Sequence, residues 1–309
     1  MTIVDCFSFH NEIDLLKLRL RMLAPVIDRF LVIEACQTHS GLPKEPLLKN
    51  LLEVNGLDLD QPILEKLHVH TIEDFPHELD NWGRERFQRD LALSLVKAAC
   101  PGNDAVSVLV SDLDELPNPE LISLVRRTGP LDRVLPITMW QCYFRPNFVR
   151  IKGDEREWSG PFIAPLGLAC EARSLSHLRE AARQKKIFLR EPSGRYQGWH
   201  LSYQGNEVFI QQKRRAFAHQ EDRVQKAPIS VEKLVQSRRG PFDDPETKPQ
   251  WAILPAGALG MPDEMSTDPF IRDRMLEKAD NLGKVLVSED EEAQTAKWFQ
   301  RQFWVQRRR

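Results

Sequence analysis

The stretch AVSVLVSDLDELP, residues Ala105–Pro117, joins a short apolar run to a pair of carboxylates. Ala105–Val110 is apolar and rich in β-branched residues, which is typical of a buried strand. Asp112 and Asp114 then follow at the carboxyl end of that strand, where ligands bind in open α/β sheets. Carboxylates are hard oxygen ligands that suit Mg²⁺ or Mn²⁺, and these ions are commonly shared with substrate phosphates. The stretch therefore indicates an enzyme that acts on a phosphorylated or nucleotide-linked substrate.

The net charge and the cysteine content limit the partners and the cell compartment that we expect for this protein. The 309 residues carry a formal net charge of -2, so we expect no binding of nucleic acid and no strong attraction to anionic membranes. The five cysteines are widely spaced and contain no Cys-x-x-Cys pair, which favours reduced thiols in a cytoplasmic protein. Neither a signal peptide nor a membrane-spanning run is predicted, so we expect at most peripheral association with the inner face of a membrane.

Strands alternate with helices over residues 1–130, which predicts an α/β fold with a mostly parallel sheet. The predicted strands there are Ile3–Phe9, Phe30–Glu34, Leu67–Ile72 and Ala105–Val110. The later predicted segments are a strand pair at Val134–Arg150, a loop at Gly153–Gly167, helices at Ala172–Lys186 and Val208–Ala218, and a loop at Gly240–Pro262. We expect one domain over residues 1–285 and a C-terminal helix or tail over residues 286–309.

The residue types around the Asp-x-Asp turn predict a metal and nucleotide site. Asp112, Asp114 and His200 are the candidate metal ligands, and Trp199 beside His200 could stack on a sugar. For each of these the plain alternative is a structural histidine or a turn with solvated carboxylates. The candidate contacts to a bound nucleotide are Asn11 and Glu34 at the ends of the first two strands, Arg86 as a phosphate fork, Asp112, and Lys213. Glu157, Glu221 and Asp222 are candidate general bases.

Ordered blocks along roughly residues 3–222 resemble glycosyltransferase family 17, the family of the transferase that adds bisecting N-acetylglucosamine. The blocks are FSFHNEIDLL at residues 7–16, VIEA and PKEPL at residues 32–47, RFQRD at residues 86–90, SDLDELP at residues 111–117, and GWHLSY at residues 198–203 followed by Lys213. The second block adds Lys44 to the donor-binding candidates. The resemblance implies a GT-A-like fold, a UDP-sugar donor (UDP-N-acetylglucosamine), a divalent metal (Mn²⁺ or Mg²⁺), and inversion at the anomeric carbon.

The resemblance also implies a division of roles. Asp114, with Asp112 acting through water, would hold the ion on the donor diphosphate, and the acceptor hydroxyl would attack from the opposite face. The membrane anchor and disulfide-permissive context of the eukaryotic enzymes are not seen in these residues. We therefore expect the acceptor to be a glycan or lipid-linked saccharide of surface polysaccharide biosynthesis.

Two other functions fit parts of the pattern. A HAD-type phosphatase also places Asp-x-Asp after a strand, and Asp112 would then be its nucleophile. Against it, Glu115 follows the motif where that class has Gly-Thr. A non-catalytic subunit that binds nucleotide sugars or glycans is the alternative from another class.

Overall fold

The structure is a computed structural model that describes residues 1–54, 56–100, 105–152, 157–184, 197–221, 230–243, 246 and 248–280. The described strands are Thr2–Phe9 (β1), Arg29–Ala35 (β2), Leu67–Ile72 (β3), Val106–Val110 (β4), Glu115–Pro117 (β5), Leu135–Tyr143 (β6), Phe148–Arg150 (β7), Glu157–Pro165 (β8), Gly198–Ser202 (β9) and Trp251–Ile253 (β10). The described α-helices are Ile13–Leu23 (α1), Leu47–Glu53 (α2), Gln61–Leu64 (α3), Asn81–Ala99 (α4), Pro119–Thr128 (α5), Leu166–Glu171 (α6), Leu175–Arg183 (α7), Glu207–Ala216 (α8), Val231–Gln236 (α9), Asp263–Ser266 (α10) and Pro269–Arg272 (α11). The predicted tail, residues 286–309, lies outside the described residues.

The strands form one sheet in the order β10-β7-β6-β8-β4-β1-β2-β3, and β9 pairs with both β5 and β6 beside this path. The neighbours β3, β2, β1 and β4 are all parallel, whereas β8 lies antiparallel between β4 and β6. The predicted α/β class with a mostly parallel central sheet is confirmed. The antiparallel pairs are in the half of the sheet beyond β4.

Helices cover both faces of the parallel strands because those strands are apolar on both sides. Ile3 and Phe7 of β1 pack in one core cluster with residues of α1. Val4 and Cys6, which point the other way, pack in a second cluster with residues of α4. Such doubly buried strands are typical of parallel sheets. Among the described helices, none is both long and apolar enough to cross a bilayer.

A buried ion pair joins α1 to the first strand and to the Asp-x-Asp turn. Arg19 and Asp5 are fully buried, and Nη2 of Arg19 lies 2.7 Å from Oδ1 of Asp5. The same guanidinium also donates to four oxygens of the turn: Oγ of Ser111 and the backbone carbonyls of Asp112, Leu113 and Glu115. The course of the turn is therefore set by a side chain from α1.

Two segments predicted as loops contain strands. Gly153–Gly167 contains β8, and Gly240–Pro262 contains β10, so both predictions are wrong over these parts. In β8, the register against β6 shifts next to Gly160 and Pro161, and such an irregularity tolerates a proline. Gly160 is required by a close approach, because a Cβ there would lie 3.0 Å from the guanidinium carbon of Arg179. Gly160 and Pro161 therefore lie inside a strand and do not form a turn.

The Arg19 pair gives a test of the fold. Arg19→Met leaves the Asp5 carboxylate buried without a cation, so we expect a loss of about 3–5 kcal/mol in the free energy of unfolding. The double variant Asp5→Leu/Arg19→Met should lose less, because the uncompensated charge is gone. Urea denaturation of both variants measures this. Equal losses in the single and double variants would contradict it.

Gly198 gives a second test. A Cβ at Gly198 would lie 2.3 Å from the carbonyl oxygen of Leu116 in the neighbouring strand β5. Gly198→Ala should therefore destabilise the protein by about 1–3 kcal/mol, since backbone has to shift. Gly167→Ala is the matched control: Gly167 is a helical glycine with no atom within 4 Å of its Cβ position. That variant should gain about 0.5–1 kcal/mol. Thermal unfolding that ranks the two variants in the opposite order would contradict the packing described.

Candidate active site

The carboxyl ends of β1 and β4 meet at one edge of the sheet and bring together charged side chains from distant segments. Glu12 follows β1, and Asp112 and Asp114 follow β4. His200 comes from β9, which pairs with β5 just after the turn, and Lys213 comes from α8. The structure thus brings Asp114, His200 and Lys213, three of the residues predicted from the sequence, together with Glu12.

Asp114 lies in a triad of charges. The ammonium of Lys213 is 2.7 Å from Oδ2 of Asp114 and 2.9 Å from Oε1 of Glu12. Nε2 of His200 lies 3.8 Å from the same oxygen of Asp114. Burial opposes the charge on Lys213, but Asp114 and Glu12 outweigh it and hold the pKa of the ammonium well above its ordinary value. Lys213 is therefore a permanently charged cation of this site.

Asp112 has different partners. Its Oδ2 lies 2.7 Å from Nη2 of Arg179, and its Oδ1 lies 3.2 Å from Nη2 of Arg89. Burial would raise the pKa of Asp112, but the two guanidinium groups hold it well below its usual range. Both oxygens of the carboxylate are thus engaged by arginines, even though the side chain is 38% exposed.

Glu115 holds Arg179, one of these two arginines, in place. It is fully buried, and its carboxylate accepts hydrogen bonds from both terminal nitrogens of Arg179. It also accepts from the indole N–H of Trp158 and from the backbone N–H of Asp112. Glu115 is therefore a structural residue that orients Arg179 toward Asp112.

His200 is suited to bind a cation. Its ring stacks on Trp158 with centroids 4.2 Å apart, and its Nδ1 has no hydrogen-bond partner in the part of the chain that the structure describes. Burial lowers the pKa of His200 despite the nearby carboxylates of Asp114 and Glu115, so the imidazole is kept neutral. A neutral imidazole is the form that binds metal ions.

These contacts decide which predicted ligands fit a divalent ion. No group of three or more His, Cys, Asp and Glu side chains within the described ranges is arranged to hold a metal. Asp114 and His200 nevertheless fit a site of the kind that Mg²⁺ uses, with few protein ligands and the remainder supplied by substrate phosphates. Asp112 is the less available of the two carboxylates, because each of its oxygens already accepts a hydrogen bond from Arg89 or Arg179. The same contacts leave it unsuited to be the nucleophile of a phosphatase.

Several predicted donor contacts lie elsewhere. Glu34 is fully buried and accepts hydrogen bonds from Lys44 and from the first backbone N–H groups of α2, so both side chains stabilise that helix start. Arg86 is 56% exposed and lies 3.9 Å from Asp80, away from the carboxylates of the turn. The contacts of Glu34 and Lys44 are those of structural residues, whereas the donor-binding role of Arg86 stays a prediction.

The predicted role of Trp199 in stacking on a sugar does not fit its buried position. Trp199 is 2% exposed and donates its indole N–H to the carbonyl of Leu259, on the opposite face of β9 from His200. Trp158 takes the place beside His200 instead. Sequence reasoning had no signal for Trp158, which lay in a segment predicted as a loop.

The other predicted site residues are Asn11 for the nucleotide and the three candidate general bases. Asn11 lies just after β1, and its Oδ1 is buried without a hydrogen-bond partner among the described residues. Glu157 begins β8, directly before Trp158. Glu221 is exposed and lies 3.1 Å from Nδ1 of His219. Asp222 lies outside the described residues.

Residues 1–239 match glycosyltransferase family 17, and the chain belongs to that family. With a TM-score of 0.31 and 13% identity, the chain aligns with a crystal structure of an active-site mutant of LgtC, over 96% of this chain and 94% of that one. A structure of the galactosyltransferase LgtC in complex with donor and acceptor sugar analogues gives a TM-score of 0.31 and 12% identity over 95% of this chain and 100% of that one. No curated protein matches the chain in sequence. Family membership makes the chain a glycosyltransferase.

The two arginines that hold Asp112 should differ in their effect on stability. Arg179→Met leaves the buried Glu115 carboxylate without its cation, so we expect a loss of about 3–5 kcal/mol in the free energy of unfolding. Arg89→Met should cost less, because Asp112 is partly exposed and keeps Arg179. Urea denaturation of the two variants side by side measures the difference. A larger loss for Arg89→Met would contradict the role given to Glu115.

Proposed function

We propose that the chain is a metal-dependent, inverting glycosyltransferase that moves N-acetylglucosamine from UDP to a hydroxyl of a glycan or lipid-linked saccharide. The observation that carries the proposal is the pairing of Asp114 with His200 at the carboxyl end of β4 in a member of family 17. Two protein ligands at the edge of an α/β sheet are what an ion shared with a diphosphate needs. The N-acetylglucosamine donor rests on the motif resemblance.

Asp114 and His200 would hold the Mn²⁺ or Mg²⁺ ion, which when bound neutralises charge on the diphosphate leaving group. Lys213 supplies an ammonium that can donate hydrogen bonds to the diphosphate oxygens. Arg89 and Arg179 keep Asp112 in place, so that the turn holds its shape while the donor binds. These roles separate the residues that contact the donor from those that support them.

Asn11 favours a uridine over a cytidine nucleotide. Its Oδ1 is a buried acceptor with no partner among the described residues, and an unmet buried acceptor is costly. The imide N–H of uracil is a donor that would satisfy it, as is the ring N–H of guanine, whereas cytosine presents a ring acceptor. We propose that Asn11 contacts the base.

Inversion requires one carboxylate on the acceptor side of the sugar. The acceptor oxygen forms a bond to the anomeric carbon, the bond from that carbon to the phosphate oxygen breaks, and UDP leaves with the electron pair. The acceptor proton passes to a general base. Glu157, Glu221 and Asp222 are the candidates for this base, although Glu157 lies on the face of β8 opposite to Trp158 and the His200 ring.

We propose that the protein works in the cytoplasm, at most peripherally at the inner face of a membrane. All five cysteines are free thiols, which suits a reducing compartment. Its partners would be the UDP-sugar and a saccharide acceptor.

The first test is titration of the protein with UDP-, GDP- and CMP-linked sugars, with and without Mn²⁺, by calorimetry. We expect metal-dependent binding of a UDP-sugar, and we expect Asp114→Asn to weaken it by at least about tenfold, because a charged ligand becomes neutral. Asp132→Asn is the matched control, since Asp132 is exposed and pairs with its neighbour Arg133. That variant should bind as the wild type does.

Two results would count against the proposal. Full metal-dependent binding by Asp114→Asn would remove the metal role of that residue. Donor binding without transfer to any saccharide acceptor, with metal supplied, would instead indicate a non-catalytic binding subunit.

A further inference from the structure

The ammonium of Lys213 stands where a metal ion would need to be. It is bonded to Oδ2 of Asp114 at 2.7 Å, and that oxygen is the one that faces Nε2 of His200 at 3.8 Å. An ion shared by Asp114 and His200 would have to approach the same oxygen. A divalent cation and an ammonium that contact the same carboxylate oxygen repel each other strongly in a partly buried site.

The charges around Lys213 do not allow both cations to stay. Glu12, Asp114 and Lys213 are each at most 17% exposed, so solvent screens them only in part. Together they carry one net negative charge, which is too little to hold a divalent ion beside the ammonium. A diphosphate supplies the missing negative charge and new acceptor oxygens for Lys213.

We propose that the ammonium of Lys213 occupies the carboxylate of Asp114 in the free enzyme, so that a metal ion binds there only when the donor diphosphate is also bound. This proposal rests on the metal and donor sites proposed above. A bound diphosphate would offer the Lys213 ammonium phosphate oxygens in place of Asp114, which would leave Oδ2 of Asp114 available as a metal ligand. Glu12 is the positioning residue of this exchange, because its carboxylate bonds the ammonium at 2.9 Å and is not itself needed by the ion. Metal and nucleotide then bind as a pair and leave as a pair.

Competition between Lys213 and the metal has consequences for the affinities of both the metal and UDP. If Lys213 competes with the metal, removing it must strengthen binding of the metal alone and must reduce the factor by which UDP improves metal affinity. By reciprocity, the metal then improves UDP affinity by the same reduced factor. A lysine that only stabilised the fold would alter neither quantity in this way.

The experiment measures Mn²⁺ binding to the full chain by electron paramagnetic resonance of the free ion, first alone and then with saturating UDP. We expect Lys213→Met to bind Mn²⁺ alone about 5-fold to 100-fold more tightly than the wild type, which is the usual range of coupling between sites. The enhancement by UDP should fall by a similar factor. Lys213→Gln serves as a second variant if the methionine form does not fold by thermal melting.

Arg183→Met is the matched control for a general loss of positive charge. Arg183 is exposed and lies over the ring of Trp158, with its guanidinium carbon 5.4 Å from the centroid, without a bond to Asp114. We expect its Mn²⁺ affinity to change by less than about twofold, since exposed charges are screened.

Unchanged or weaker Mn²⁺ binding by both Lys213 variants overturns the proposal, and so does the absence of Mn²⁺ binding to the wild type and the variants alike. Failure of UDP to bind the wild type, with tighter Mn²⁺ binding in the variants, would uphold the competition for Asp114. In that case it is the nucleotide donor of the proposed function that fails.

Discussion

One buried guanidinium determines the course of the turn on which the site is built. Arg19 reaches from α1 through the core, pairs with Asp5 on β1, and donates to three backbone carbonyls of the Asp-x-Asp turn. Burial raises the pKa of Asp5 even though Arg19 opposes it, so the pair is costly to bury. Its benefit is a turn of defined shape, since breaking such a pair leaves a charge that the core cannot solvate.

From this turn the two carboxylates reach separate environments. Asp112 lies against Arg89 and Arg179, which are themselves held by Glu85 and Glu115. Asp114 lies against Lys213 and His200. The first environment is tied down by several charged hydrogen bonds. The second depends on one flexible lysine side chain, and is therefore the part of the turn that an incoming ligand can rearrange.

Much of the fold could be predicted because its signals are local. The parallel strands are apolar runs, the helices between them have a regular apolar period, and the Asp-x-Asp pair follows its strand directly. His200 and Lys213 were found from their sequence blocks. The strand β8 was missed, because glycine and proline in a strand give the local signal of a loop, and only the close approach of Arg179 to Gly160 explains them.

The sequence by itself thus determined the α/β class, the edge of the sheet that carries the site, and the carboxylates in it. Tertiary structure alone decided which charges meet. Arg89 rather than Arg86 reaches Asp112 because of the face that α4 turns to the sheet, and Trp158 rather than Trp199 lies beside His200 because of strand register. Spacing along a chain fixes which residues share a face, but which face meets which partner depends on packing between distant segments.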